Sequence, residues 1–559
     1  MGIPVFDIEA MEWVHPIAVG FTDGDTYFEF LKETPDTDVM WKFLEFVGKK
    51  FEGMSLFAHN AGNYDNRFIL DSLVRHKQKI RLEAGLGRVV WLDKDVSFED
   101  SLLVVGTSLA TLCKAFGVPR KLSWDHSTTV NIWELGSRLD SFRTYLKRDV
   151  MSLSMAMDAY CRSLIQNFGI TPSATLSLTA VKAFNKNFFP VSGIKANEAF
   201  EPYIRAATYG GRNEVYKRYG EGLYLYDIRS MYISCYNAPI PIGEMHWRKP
   251  SMEYGSLAEA TVEVPKDKNI GPLPYKWYGR LIFPVGKFTG WWDMVELRKA
   301  ESEGAKISLL RQLDCEELPV LKEFGDYVSH LRYSSTIELG RLWKLMGIRL
   351  SGKFGQHRWR TEIVHSDDIE DFTGFTPMDA SEVYHEKSVY LKGNKAPYVR
   401  PAVAMRIRAE SRVRHLTFLL KSDPYYCDTD SVYTTTQLPI GEAGGELQLT
   451  GLAKRAYFVR GKLYGYVDHN GNLKQRAAGF RDFRLTEYDF QQLLAGKDIE
   501  YLTRPVGKWK AILNEQGVNL DEIPRKAKGG DSIENRITDG SVTHPICLPI
   551  TEKRKSRKQ

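Results

Sequence analysis

Acidic residues recur in this chain at spacings that suit metal-assisted phosphoryl transfer. The stretch YYCDTDSVYTT, residues 425–435, carries Asp428 and Asp430 two residues apart. Apolar and β-branched residues flank Asp428-Thr429-Asp430-Ser431, so the pattern predicts a hairpin with acid at its tip. Two carboxylates on one tight turn repel each other unless a cation lies between them. Mg²⁺ takes hard oxygen ligands and is commonly held by one or two carboxylates together with substrate phosphates. Two such ions can clamp both the attacking and the leaving oxygen of a phosphoryl transfer. Asp-x-Asp alone is a weak signal, because aspartate also favours turns for structural reasons.

The pair is not isolated. Upstream, LYLYDIRSMYISCY offers Asp227 after a strand-like run, a third carboxylate. KLMGIRLSGKFG places Lys344 in a helical pattern, where an ammonium could neutralise nucleotide phosphates as a point charge. Downstream, RGKLYGY carries Lys462 and Tyr464, which would face the same side of a strand. A second set lies near the start. FDIEA offers Asp7 and Glu9 on one strand face. HNAGNYDNRF offers Asn60, Tyr64 and Asp65, and YLKRD places Tyr145 and Asp149 at i and i+4 of a helix.

These residues need elements to hold them. IPVFDIEAM and MSLFAHN read as strands, and DTDVMWKFLEFVGKKF as a helix. LDSFRTYLKRDVMSLSMAMDAYCRSLIQNFG is a long helical pattern that stops at a glycine. Such alternation predicts a sheet covered by helices. A second strand-rich region starts near ATYGGRNEVYKRYGEGLYLYD. Frequent Pro and Gly over 238–290 predict an irregular, loop-rich stretch, and STIELGRLWKLMGIRLSGKFG and RPAVAMRIRAESRVRHLTFLLKS read as helices.

The ordered set resembles family B DNA polymerases: DIRSMY their motif A, KLMGIRLSGKFG their motif B, CDTDS their motif C and KLY their KxY segment. The resemblance implies that Asp227 and Asp430 hold catalytic metals, with Asp428 beside them. It implies that Lys344 holds the incoming nucleotide, with Ile348 and Ser351 on the same helical face of the nucleotide pocket. Tyr232 would exclude a ribose 2′-hydroxyl by a clash. Lys462 and Tyr464 would hold the primer strand, and Tyr209, Gly210 and Gly211 in TYGG would touch template. The N-terminal segments resemble the 3′–5′ exonuclease of the same enzymes. There Asp7, Glu9, Asp65 and Asp149 would bind metal and Tyr145 would orient the attacking water. Asn60, Tyr64, Ser101, Leu102 and Lys121 would meet single-stranded DNA or the reacting phosphate.

The layout resembles the protein-primed subgroup of phages and linear plasmids. It implies a multidomain α/β and α+β architecture, a ribonuclease H-like exonuclease domain over 1–190 and a right-hand polymerase domain over 191–559. Within the latter, palm would occupy 191–254 and 399–455, insertions about 255–335 and 357–398, fingers about 336–356 and thumb about 456–559. The first insertion would dock a terminal protein and the second would aid strand displacement and processivity. Two Mg²⁺ per site, replaceable by Mn²⁺, and primer-template DNA, single-stranded DNA, dNTPs and a terminal protein would be the cofactors and partners of a monomer. Motif B departs from the family pattern: Ile348, Arg349 and Ser351 stand where Asn, Ser and Tyr are usual, which implies a looser pocket over the nascent base pair. Three other readings stay open: a single-strand DNA exonuclease, a DNA-binding scaffold with a degenerate polymerase half, and a primer-independent polymerase.

Composition sets outer bounds. A chain of 559 residues, 43% hydrophobic and 26% charged, is too long for one core and suits three or four globular domains. The net charge of +6 is too small to argue for nucleic acid without local clustering. The clearest basic cluster, EKRKSRKQ over 552–559, reads as a solvated tail. Six scattered cysteines show no metal-ligand spacing and no disulfide framework. No apolar run is long enough to span a bilayer, and MGIPVFDIEAMEW lacks the features of a secretory signal, so a cytoplasmic protein without membrane partners is expected.

Overall fold

The computed structural model describes residues 2–548 except 84, 127–128, 367–368, 370, 378–383, 479, 481–483, 504–522 and 530–534. The basic tail at 552–559 lies outside the described residues, as do parts of the expected second insertion and thumb.

Two seven-stranded sheets carry the acidic residues. The first contains β1 (Val5–Met11), β2 (His15–Thr22), β3 (Tyr27–Leu31), β4 (Ser55–Ala58), β5 (Ile80–Glu83), β6 (Arg88–Trp91) and β7 (Val96–Asp100), in the order β3-β2-β1-β4-β7-β6-β5. β4 lies parallel to β1 and β7, and the other pairings are antiparallel. The period of two in β1 divides its side chains. Phe6 and Ile8 pack in one core with Phe43 of the helix Val39–Lys50 and Phe68 of the helix Asp65–Arg75. Val5, Asp7 and Glu9 face the opposite way, and Val5 shares a core with Val150 of the helix Leu139–Phe168. That helix ends where expected, at Gly169 with φ 63°. It runs so close to β2 that a Cβ on Gly20 would lie 2.9 Å from Val150. The close approach brings Asp149 against the acids of β1.

The second sheet is antiparallel throughout. Its order is Leu473–Ala477, Leu463–Asp468, Leu447–Arg460, β9 (Tyr219–Ile228), Ser431–Thr434, Pro424–Asp428 and β8 (Asn213–Val215). The acidic stretch is the expected hairpin: Asp428 pairs with Ser431, leaving Thr429 and Asp430 as the turn. The helices Ile337–Phe354 and Pro401–Leu419 also form as expected. The second shows no clean apolar stripe, because buried arginines replace part of one. Arg406 pairs with Asp293 at 2.8 Å and Arg412 with Glu296 at 2.7 Å.

The loop-rich expectation over 238–290 is corrected. A five-stranded sheet occupies much of that stretch, in the order His246–Arg248, Lys306–Asp314, Leu257–Val264, Val285–Asp293 and Cys547–Leu548. The prolines at 250, 265, 272, 274 and 284 fall in its connections. This sheet starts before residue 255 and takes its last strand from the far end of the chain. The helix Lys322–Ser334, inside the expected first insertion, packs instead with Ile337–Phe354. One continuous core joins Phe324, Trp343 and Leu350 to Tyr160 and Phe184 of the N-terminal region. Among the described residues no helix is long and apolar enough to cross a membrane.

Candidate active sites

The N-terminal cluster forms from strand and helix together. Carboxylate oxygens of Asp7, Glu9 and Asp149 lie within 4.8 Å of one another. Asp65 stands beside this trio rather than in it, its Oδ1 accepting the Ile8 N–H at 3.0 Å. The Tyr145 hydroxyl donates to Glu9 Oε1 at 2.9 Å, and Lys121 forms an ion pair with Asp149. Burial is the main force raising the Asp7, Asp65 and Asp149 carboxyls, Asp65 to about 7. Burial alone would lower Lys121, but the charges of Asp7 and Asp149 outweigh it and hold the ammonium up. Asp7 Oδ2 and Asp149 Oδ1 are buried without a hydrogen-bond partner. Crowded hard oxygens with unused lone pairs fit a divalent cation.

The expected DNA-contacting residues sit around this cluster with different exposures. Asn60 is left-handed at φ 64° and half-buried, and Tyr64 precedes the helix that carries Asp65. Ser101 is fully buried and bonds His59 Nδ1 at 3.0 Å, while Leu102 is half-buried in the same short helix. Asp100 caps that helix through Leu102 N–H at 2.9 Å and also accepts Gly62 N–H at 3.1 Å.

The second cluster is a turn standing over a strand end. Asp227 pairs with Ser431 on one side and Gln448 on the other, which brings it beside Asp430. Ile228 N–H donates to the Asp430 carbonyl at 2.8 Å, and Gln448 Nε2 donates to Asp227 Oδ2 at 3.2 Å. Burial, then the charge of Asp227, pushes Asp430 up to about 7; Lys344 opposes the shift. Burial also raises Asp227, against Gln448 and Lys344. Lys344 therefore acts on both acids from the neighbouring helix. The donor set again fits a hard cation. A cleft of about 400 Å³ opens here, lined by Asp227, Asp428, Asp430, Lys462, Tyr464 and Arg476 among others.

Thr429 has φ 60°, and its side chain fills the space beside Gly211, where a Cβ would come within 2.7 Å. Gly211 is thus needed to let the acidic turn close on the preceding segment. Tyr209 is buried, with its hydroxyl donating to the Trp291 carbonyl at 3.0 Å, while Arg412 holds the Tyr209 and Gly210 carbonyls at 2.7 and 3.1 Å. Lys462 is not on a strand with Tyr464 but in the hairpin turn, at φ 61°. Tyr464 meets the Tyr433 hydroxyl at 3.0 Å, so the two still line one cleft from different elements. Tyr232 is half-buried, its hydroxyl raised by burial and by Asp430. Ile348 is half-buried and Ser351 buried. The room expected at Ser351 is partly taken: the buried Tyr236 phenol lies against it and donates to the Gly347 carbonyl at 2.6 Å.

Several contributors carried no sequence signal. Gln448 lies in an ordinary strand, and Arg332, which bonds Ser230 and bears on Asp227, lies in an ordinary amphipathic helix. His126, 3.5 Å from Glu9, lies in a coil segment without a motif. Only pairing across the fold identifies them.

Comparison with known proteins places this arrangement. Residues 138–399 match the family described as DNA polymerase type B, organellar and viral. That stretch is a little under half of the chain, and over it the chain is similar to type B DNA polymerases. A probable DNA polymerase of Podospora anserina is 24% identical over 375 residues, 57% of this chain and 31% of the relative. Another, of Neurospora intermedia, is 22% identical over 593 residues, 88% of this chain and 60% of the relative. The chain thus spans about a third to three fifths of these curated relatives. In fold it is similar to Phi29 DNA polymerase bound to primer-template DNA and incoming nucleotides. The TM-score is 0.70 at 16% identity, covering 94% of this chain and 99% of that one. The same polymerase bound to single-stranded DNA gives a TM-score of 0.65 at 16% identity, covering 86% and 92%. The multidomain α/β architecture expected from the sequence is therefore that of this fold.

Proposed function

We propose that the chain is a DNA-directed DNA polymerase with a 3′–5′ proofreading exonuclease, replicating a small linear genome by protein priming in the cytoplasm of its host cell. The observation that carries this reading is the pair of separate acid clusters, one largely buried and one half-buried in a cleft, each at its own seven-stranded sheet. We keep the expected division, exonuclease to residue 190 and then palm, fingers and thumb with two insertions, with the first insertion's sheet beginning at His246 and the palm sheet running on to Ala477. Asp227 and Asp430 in one site, and Asp7, Glu9, Asp65 and Asp149 in the other, would hold divalent cations, Mg²⁺ or Mn²⁺, which supply positive charge to the reacting phosphate oxygens.

The chain's own groups do the rest. Lys344 meets the phosphates of the incoming dNTP, Tyr232 closes the space under its sugar, and Lys462 and Tyr464 position the primer end. Gln448 fixes one oxygen of Asp227. In the other site Tyr145, held by Glu9, orients water on the terminal phosphodiester, and Asn60 and Tyr64 hold the frayed strand. Primer-template DNA, single-stranded DNA, dNTPs and a terminal protein are the partners of a monomer. The test is a labelled primer on a longer template with Mg²⁺, with and without dNTPs. Extension with dNTPs and shortening without them is expected. Shortening in both lanes would leave a nuclease alone, and no change in either would overturn the reading.

A further inference from the structure

The connection from β1 to β2 breaks a local rule. Val14 N–H donates to the Met11 carbonyl at 3.2 Å across Glu12 and Trp13, whose φ angles are 53° and 64°. A β-turn with both central residues at positive φ is ordinarily built from Gly, Asn or Asp, and here it lies within the three-residue connection between Met11 and His15. Here a carboxylate and an indole take those places, in backbone that costs about 1 kcal/mol or more per residue without glycine. Strain of this kind persists where the surroundings over-determine it, and the surroundings here are aromatic.

Trp13 stands in a row of rings that borders the N-terminal carboxylates. Phe68 and Tyr64 lie 5.2 Å apart, Tyr64 and Trp13 5.7 Å, Trp13 and His126 5.4 Å, and His126 and Tyr145 6.0 Å. On both sides of Trp13 the row reaches the acids. Tyr64 adjoins Asp65 in the chain, and His126 and Tyr145 contact Glu9. Phe68 and Tyr145 are buried, whereas Trp13 is 38% exposed. A ring needed only to prop Tyr64 and His126 would gain by burying that surface. An exposed indole between two other rings is instead a stacking platform for a base.

We propose that Trp13 is a positioning residue of the nuclease site. Its indole stacks on the 3′-terminal base of single-stranded DNA and thereby sets the last phosphodiester over Asp7, Glu9 and Asp149. The inference rests on the exonuclease reading above. It assigns the recognition of a base, not of phosphate, to the β1–β2 turn.

The test uses the full chain and steady-state degradation of two single strands, one with an ordinary 3′-terminal nucleotide and one with an abasic 3′-terminal residue. Trp13→Ala is expected to raise KM for the ordinary strand roughly ten-fold, with no change in KM for the abasic one. Trp13→Phe should recover most of the loss. A 2-aminopurine at the 3′ end, bound in Ca²⁺ without cleavage, should be quenched by the parent chain and Trp13→Phe but not by Trp13→Ala. Equal loss on both strands, or unchanged quenching, would assign Trp13 a structural role and overturn the proposal. If the parent chain degrades neither strand, the exonuclease reading fails first, and the two failures are distinct.

Discussion

The two carboxylate centres solve one electrostatic problem in different ways. The N-terminal trio is held by a strand and a long helix, and it already contains a cation, Lys121 on Asp149. The hairpin acids sit on a turn in an open cleft, and their cation, Lys344, reaches them only through space from another helix. The first centre is partly neutralised before any substrate arrives. The second keeps Asp430 raised to about 7 by burial and then by the charge of Asp227, with no cation in contact among the described residues. A site that must bind a triphosphate and release pyrophosphate in every cycle gains from having its charge completed by what it binds. A site that trims a strand end gains from a fixed cation.

The largest effects follow if the centres are independent. Asp430→Ala should lower synthesis on the order of a thousand-fold while leaving degradation in place, and Asp7→Ala should do the reverse. Primer extension and single-strand degradation, measured on both variants, decide it. Loss of both activities in either variant would merge the two centres into one.

The two acid clusters were legible in the sequence, because each is written in short local segments. FDIEA, YLKRD and CDTDS place their acids by period and turn chemistry alone, and the long helix announced its own end at Gly169. What stayed illegible depends on distant pairing. The sheet over 246–314 was hidden because prolines in its connections gave the stretch a loop-like composition, and its last strand, Cys547–Leu548, comes from the far end of the chain. Lys462 and Tyr464 looked like two positions of one strand, yet a left-handed turn separates them. Tyr209, expected at the template, is buried with its hydroxyl on the Trp291 carbonyl, a partner that no local pattern announces. The partners of the acids, Gln448, Arg332 and His126, are ordinary residues until the fold brings them together.

The difference in cation placement sharpens into a kinetic contrast. Lys121→Met removes a charge that touches the reacting centre, so it should lower kcat for degradation about a hundred-fold with little change in KM. Lys344→Met removes a charge that meets the nucleotide, so it should raise KM for dNTP about ten-fold. If both variants act on the same kinetic constant, the contrast between a built-in and a borrowed cation is wrong.

The smallest effect concerns what supports each centre from beneath. His415 is fully buried under the hairpin, its Nε2 3.1 Å from the Ser431 carbonyl, and burial followed by the charge of Arg212 lowers it to about 3. The neutral ring therefore donates from Nε2, while Nδ1 has no partner among the described residues. His59 plays the same part in the N-terminal site: it bonds Ser101 and is lowered to about 4, by burial and then Lys121. An unfolded histidine titrates near pH 6.5. Between that value and its lowered folded value, the unfolded chain binds a proton that the folded chain refuses. The stability is fully present above about pH 6.5 and is lost as pH falls, by up to about 1.4 kcal/mol per pH unit for each histidine. His415→Asn should accordingly flatten the dependence of urea unfolding free energy on pH between 4.5 and 6.5 by about 1 kcal/mol per unit. His59→Asn should do so over a narrower range, because its window closes near pH 4 rather than 3. Parallel curves for parent and His415→Asn would mean that the hairpin tolerates a charged imidazole beneath it, and that the open centre is supported less rigidly than the closed one.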